Sequence, residues 1–288
     1  MLLFAALGMP LWESLNHGMT AIATGGFSVT DDSFGAYSIA LQIVAMILMV
    51  MGAISFATYH ELVQKRHFWE FFWYGPTRFL FAGLIVASIL LWLFRLEIES
   101  DGGYFTLLFQ VTSAFGTAGF TTVSLSDWNS ASLAILIVCM LIGGASGATT
   151  GGVKIDRILL LCRGIGWRFE RLFEKKSRSQ ILINDEVYDI QTARLQVESA
   201  ATLVALWMIT ALAGCLALAS VCGEEWSFTQ VGFEVMSAMG SVGLSVGITN
   251  SDMPSVGKWT LIFLMWAGRL ELIAVFALLW LPFVQKNK

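Results

Sequence analysis

Thr112-Ser113-Ala114-Phe115-Gly116-Thr117-Ala118-Gly119-Phe120-Thr121-Thr122 occurs, with variations, three times in this chain. Upstream, Met19-Thr20-Ala21-Ile22-Ala23-Thr24-Gly25-Gly26-Phe27-Ser28-Val29 carries the same pattern, and downstream Met236-Ser237-Ala238-Met239-Gly240-Ser241-Val242-Gly243-Leu244-Ser245-Val246 repeats it. Each copy runs from a short apolar segment into small residues, then a glycine, then a large apolar side chain. Polar residues and a new hydrophobic span follow. The copies lie roughly 100 residues apart, too far for a solenoid repeat. They fit a recurring unit of helix, half-helix with loop, and helix.

Composition says where such units sit. The chain has 288 residues, of which 56% are hydrophobic and 13% charged, and its mean hydropathy is +0.71. Soluble domains average about 25% charged residues, so this chain belongs in a bilayer. A helix crosses the hydrocarbon in ~20 residues. Candidate spans are Ser38–Tyr59, Phe79–Phe94, Ser132–Ile142 continuing past a glycine loop, Ala200–Val221 and Trp259–Phe283. Between them Leu11–Ala23, Tyr104–Phe115 and Thr229–Met239 are too short to cross and long enough to reach mid-membrane. The expected fold is therefore an all-α polytopic membrane protein built of helix–pore-loop–helix units, three of which are legible. Met1–Gly8 is apolar but too short to span, and the absence of a basic stretch ahead of it argues against a signal peptide. The expectation is a chain that lacks its natural beginning.

The net charge of -4 hides an asymmetry. Lys154, Arg157, Arg163, Arg168, Arg171, Lys175, Lys176, Arg178 and Arg194 share one connection; Lys65, Arg66 and Arg78 share another; Lys286 and Lys288 end the chain. Acidic residues (Asp31, Asp32, Glu97, Glu99, Asp101, Asp127, Glu224, Glu225, Asp252) gather in the other connections. Lysine and arginine excess marks the cytoplasmic side, so the basic loops and the C-terminus are read as inside and the glycine turns open outward. Topology explains the basic loop, and nucleic-acid binding is not expected. Ser177–Arg194 is polar; a docking surface for a cytoplasmic partner and a plain solvated connection both fit it. Cys139, Cys162, Cys215 and Cys222 have no metal or redox spacing. His17, His60 and His67 form no cluster and read as boundary residues, with His17 at the start of a repeat. No Ser/His pair, paired aspartates or zinc-protease pattern occurs in the spans, so the chain is not expected to be an enzyme.

One crossing is broken. Gly143-Gly144-Ala145-Ser146-Gly147-Ala148-Thr149-Thr150-Gly151-Gly152 has five glycines in ten residues at membrane depth. Each costs up to ~1 kcal/mol in a helix interior, and irregular backbone there survives only against protein or a water-filled cavity. Gly147 and Gly151 alone fit a close helix contact. The full set, with Ser146, Thr149 and Thr150, suggests an unwound, movable loop lining a pore. A phosphate-binding loop is excluded, because the glycine-lysine-hydroxyl ending is missing. Arg269, within Gly268-Arg269-Leu270-Glu271, lies about 15 Å down the last span, where a charge is expensive and faces a cavity or a partner. Glu271, two residues on, is on another helix face. Arg269 is expected near the glycine loop as an electrostatic barrier; a bridge to carbonyls of another helix is the alternative.

A dehydrated monovalent cation needs several oxygens around a narrow axis, and backbone carbonyls supply them where the chain runs extended. Glycine permits the backbone angles, and a half-helix directs its partially negative C-terminus at the ion. The three turns, Ala23-Thr24-Gly25-Gly26, Gly116-Thr117-Ala118-Gly119 and Gly240-Ser241-Val242-Gly243, are therefore candidate filter segments for K+.

These turns, the Gly143–Lys154 loop and the Gly268-Arg269-Leu270-Glu271 motif together resemble the Trk/Ktr/HKT superfamily of potassium-translocating membrane subunits, and most closely its bacterial Trk/Ktr members. The resemblance covers essentially the whole chain. It implies four repeats around a pore, of which this chain would hold part of repeat two (residues 1–62), repeat three with the loop (63–194) and repeat four (195–288). It implies Gly26, Gly119 and Gly243 as filter glycines and Gly143, Gly144, Ser146, Gly147, Thr149, Thr150, Gly151, Gly152 and Arg269 as the gate. It further implies a homodimer in membrane lipid, a bacterial inner-membrane location and a cytosolic nucleotide-binding regulatory ring. K+ is the implied cargo, by symport with sodium or protons or by passive flow, with no organic cofactor in this chain. Repeat one is absent from the pattern, so truncation or a separate completing chain is expected. A secondary transporter of a small solute, with broken helices around a midplane site, and a non-conducting assembly partner are the competing readings.

Overall fold

The computed structural model describes residues 1–65, 68–94, 103–173, 180–183, 186–223, 225–270, 272 and 275. In chain order these form α1 (Leu2–Ala6), α2 (Leu11–Ile22), α3 (Ile39–Ala53), α4 (Phe56–Lys65), α5 (Phe68–Trp73), α6 (Gly75–Leu93), α7 (Gly103–Phe115), α8 (Ser130–Ile142), α9 (Ile155–Phe173), β1 (Gln180–Ile183), β2 (Glu186–Asp189), α10 (Ile190–Ala219), α11 (Phe228–Met239) and α12 (Ser255–Arg269). The all-helical expectation holds apart from the small β1–β2 hairpin, in which Gln180 pairs with Asp189 and Ile183 with Glu186. That hairpin occupies much of the polar stretch expected as a connection.

α6 and α10 are long and apolar enough to cross a membrane alone. The expected crossing Ser38–Tyr59 is not a straight helix: α3 and α4 meet at a bend of 92°. The cause is competition for the last carbonyls of α3. Ala145 N–H donates to Ala53 O at 2.9 Å and Thr149 N–H to Gly52 O at 3.3 Å, so the glycine loop takes acceptors that a continuing helix would use. Phe56 N–H in turn goes to Gly147 O at 3.2 Å, and the chain restarts as α4 in a new direction.

The three half-helices are α2, α7 and α11. α7 packs among α3, α6 and α8; α11 packs among α8, α10 and α12; α2 lies on α3. From Phe109 to Phe115 every residue of α7 is buried, which places this helix inside protein rather than against lipid. Leu107, Val111, Phe115, Leu136, Met140 and Met239 belong to the main core, and Met49, Phe109, Ala118 and Phe120 to a second one behind the first two turns. The spans turn large apolar side chains outward instead: Ile85, Val86 and Ile89 on α6, and Met208, Ile209, Leu212 and Leu216 on α10, are exposed. Apolar faces of that extent are rare on water-soluble monomers and mark a lipid-facing surface.

Several residues behind the expected topology lie outside the described ones: Arg66, His67, Glu97, Glu99, Asp101, Lys175, Lys176, Arg178, Glu224, Lys286 and Lys288. So do Glu271 and most of the last span beyond Leu270.

Candidate functional site

Each half-helix ends in the same way. After the closing residue (Ala23, Gly116, Gly240), a hydroxyl residue adopts the left-handed conformation: Thr24 at φ +50°, Thr117 at +46°, Ser241 at +50°. The next N–H folds back five residues, Gly25 to Thr20 O, Ala118 to Ser113 O and Val242 to Ser237 O, at 2.8, 2.9 and 2.8 Å. This is the Schellman closure, whose left-handed position is normally glycine. Threonine or serine there costs roughly 1–2 kcal/mol. Strain repeated three times asks for a reason; at Thr24 and Thr117 the hydroxyl supplies one by bonding the glycine loop. Two residues later Gly26, Gly119 and Gly243 again have positive φ, +69°, +80° and +97°.

The turns lie side by side. A β-carbon on Gly26 would sit 2.2 Å from Ala118 O, and one on Gly119 would sit 2.1 Å from Val242 O. Backbone carbonyls of one turn thus press on the glycine of the next, which no side chain permits. At Gly243 the nearest atom to such a carbon is Gly119 Cα, at 3.8 Å. The three turns accordingly form an arc open at that end among the described residues.

The glycine loop covers the helix-end side of this arc. α8 stops at Gly143, φ +67°, and the chain returns antiparallel to itself, with Val153 N–H on Leu141 O, Lys154 N–H on Ile142 O and Ile155 N–H on Gly144 O. The segment is unwound rather than a close-packed helix. Thr24 Oγ1 donates to Thr149 Oγ1 at 3.2 Å, and Thr149 Oγ1 is within 3.1 Å of Gly52 O and 3.2 Å of Ile22 O. Gly151 N–H donates to Thr117 Oγ1 at 2.9 Å. A β-carbon on Gly151 would fall 1.9 Å from Gly240 O and 3.5 Å from Ser241 Cβ. The loop therefore bonds the hydroxyls of Thr24 and Thr117 and lies close against the third turn at Gly240.

Within the loop, Thr150 Oγ1 accepts from Gly144 N–H at 3.2 Å, and Ser146 N–H donates to the Asp156 carboxylate. Lys154 Nζ donates to Thr150 O. Arg269, at the end of α12, donates from Nη1 to Thr149 O at 3.1 Å. Arg269, expected near this loop, is in contact with it; the carbonyl it reaches belongs to the loop and not to another helix, the alternative weighed for it.

Three residues with a polar role behind the turns were not singled out for it. His17, Gln110 and Glu234 are 0%, 0% and 4% exposed. His17, read as a boundary residue, is enclosed by Phe34, Tyr37 and Phe120. Its Nδ1 donates to Glu13 O at 2.9 Å and its Nε2 pairs with Ser28 Oγ at 3.0 Å. Nearby, Tyr37 Oη donates to Glu13 Oε2 at 2.8 Å; burial first, then that carboxylate, push the phenol above its ordinary pKa. The signal in the sequence is a polar residue at one fixed offset, nine residues ahead of the turn glycine, in each of the three half-helices.

Buried half-helices converging on a cluster of strained backbone turns, closed by an unwound loop inside a bundle with a lipid-facing surface, define a polytopic membrane protein of the transporter class. The chain matches the model of the family described as TrkH, cation transport protein, over residues 6–282, and it belongs to that family.

It is similar to an uncharacterized cation transporter of Methanocaldococcus jannaschii, 30% identical over 96% of this chain and 55% of that protein. It is also similar to the Trk system potassium uptake protein TrkH of Halomonas elongata, 30% identical over 96% of this chain and 58% of that protein. The Ktr system potassium uptake protein B of Bacillus subtilis is 24% identical over 90% of this chain and 58% of its own length. Among solved structures, the potassium transporter TrkH from Vibrio parahaemolyticus superposes with a TM-score of 0.81 at 26% identity, covering 96% of this chain and 60% of that one. The chain thus spans between 55% and 60% of the length of these relatives.

Proposed function

We propose that this chain forms part of a potassium uptake system of a bacterial cytoplasmic membrane. The three turns coordinate the dehydrated ion through backbone carbonyls, and the glycine loop with Arg269 gates the path. One observation carries this: three half-helices with identical strained closures bring their C-terminal ends and carbonyls to one place. Helix C-termini concentrate partial negative charge, and rings of carbonyls replace the hydration shell of a monovalent cation. The names of the Halomonas and Bacillus relatives as potassium uptake proteins support the same cargo. Positioning without bond chemistry makes this a transporter rather than an enzyme. A further turn, from this or another polypeptide, closes the arc beside Gly243. Two copies in the membrane with a cytosolic nucleotide-binding ring on the basic side complete the assembly, and sodium or protons are the candidate coupling ions.

The test is rubidium uptake in bacteria stripped of their own potassium transporters, with the chain expressed from its natural gene. Uptake that potassium suppresses at lower concentration than sodium is the expected result. Cells holding the protein in their membranes without taking up rubidium would overturn the proposal.

A further inference from the structure

His17, Gln110 and Glu234 each stand nine residues ahead of their turn glycine, and each is bonded to the hydroxyl two residues beyond it. The partners are Ser28 for His17 (3.0 Å), Thr121 for Gln110 (3.0 Å) and Ser245 for Glu234 (2.5 Å). The side chains differ in chemistry, an imidazole, an amide and a carboxylate, yet span the same gap in three separate places. Gly26, Gly119 and Gly243 have no side chains of their own to fix the backbone where each turn opens outward. Something behind them must do so if the carbonyls are to keep one spacing.

Resting on the transport reading above, we infer that His17, Gln110 and Glu234 are positioning residues. They are struts that tie the outward end of each turn to the half-helix behind it and so set the width on which ion discrimination depends.

Glu234 holds its strand most firmly. Its Oε1 accepts from Ser245 Oγ and from Val246 N–H (3.0 Å), and its Oε2 accepts from Thr249 Oγ1 (3.0 Å). All three partners are donors, and both oxygens of the carboxyl group are engaged as acceptors. The Gln110 strut is tied further: Thr121, its partner, donates to Val123 O and receives Phe34 N–H on its own carbonyl at 2.9 Å. Gln110 thereby braces the loop of the preceding repeat as well. Gln110 Oε1 has no hydrogen-bond partner among the described residues. The amide is held through its donor side alone, and Gln110→Leu would leave the hydroxyls of Thr121 and Thr122 without it.

The experiment compares Glu234→Ala, Glu234→Gln, Ser245→Ala and Gln110→Ala, expressed from the natural gene at matched membrane abundance. It reads the rubidium-over-sodium preference in uptake and deuterium exchange across residues 245–249 and 121–123. Unpairing a buried donor costs on the scale of a tenfold change in an equilibrium, so Glu234→Ala and Gln110→Ala are expected to lower the preference by about tenfold and to speed exchange in their own segment.

Glu234→Gln keeps an oxygen for Ser245 and Val246 and should restore both readouts. Should Glu234→Ala not reach the membrane, Ser245→Ala removes a single oxygen at the other end of the strut and carries the same expectation at smaller size. Unchanged preference, unchanged exchange, or a Glu234→Gln variant as impaired as Glu234→Ala would overturn the inference; the last would make charge, not position, the operative property. Absence of rubidium uptake by the unmodified protein would instead strike the transport reading, and the exchange data would still decide on the struts.

Discussion

Gly119→Ala is expected to abolish rubidium uptake while leaving the protein in the membrane. Gly119 sits at φ +80°, where an L side chain is strained, and its β-carbon would lie 2.1 Å from Val242 O. The conformational part alone costs roughly 1–2 kcal/mol. The clash is worse, because the obstacle is the backbone of the neighbouring turn and no rotamer change relieves it. Either Gly119 or the carbonyl of Val242 must move, and both belong to the cluster proposed to hold the ion. A displacement of ~1 Å in such a constellation is enough for a ~100-fold loss.

Gly103→Ala, at the start of the half-helix that leads into this turn, is the control: its φ is +59° and nothing lies within 4 Å of the added carbon. It carries the backbone strain without the collision and should retain uptake. Uptake measured against protein abundance separates the cases. Wild-type rubidium flux in Gly119→Ala would remove Gly119 from the ion path, and equal loss in Gly103→Ala would trace the effect to folding.

What the sequence revealed and what it hid divide along a physical line. The half-helices, the turns and the unwound loop were legible because each depends on local properties: apolar length, glycine density, and recurrence of one pattern. The bounds of α2, α7 and α11, to within a residue, follow from that local signal. The bend between α3 and α4 was not legible. Ile54 and Ser55 carry no glycine or proline, and the helix ends there because a loop about ninety residues downstream claims the carbonyls of Gly52 and Ala53. Tertiary competition of that kind leaves no mark on local periodicity.

The β1–β2 hairpin was missed for another reason, since four-residue strands in a polar stretch offer little pattern to read. The polar row His17, Gln110 and Glu234 lay between. It was visible only once the three copies were aligned on their glycines, because three different residue types share the position. Likewise the strain at Thr24, Thr117 and Ser241 is a property of backbone angles; composition showed only a recurring small hydroxyl.

Arg269→Gln is expected to raise cation flux. The guanidinium is bonded to Thr149 O, and Thr149 in turn meets Thr24 Oγ1 in the first turn. Its position is fixed from behind, since a β-carbon on Gly268 would lie 1.9 Å from Met239 O, the last residue of α11. α12 therefore cannot slide without disturbing the third half-helix. A fixed positive charge at that place opposes a permeating cation: two unit charges ~10 Å apart at an effective dielectric constant of ~20 repel by ~1.7 kcal/mol, roughly a tenfold effect on a rate. The same side chain also holds the loop, so charge and tether both predict a gain of flux on removal.

Arg269→Lys separates them. Lysine keeps the charge but lacks the planar fork that reaches a carbonyl from a rigid geometry. Flux that stays low in Arg269→Lys and rises in Arg269→Gln assigns the barrier to charge; flux that rises in both assigns it to the tether on Thr149. If neither variant changes flux and Arg269→Gln is lost from the membrane, the arginine serves only to join α12 to the loop, and the gate must be sought in the glycine segment alone.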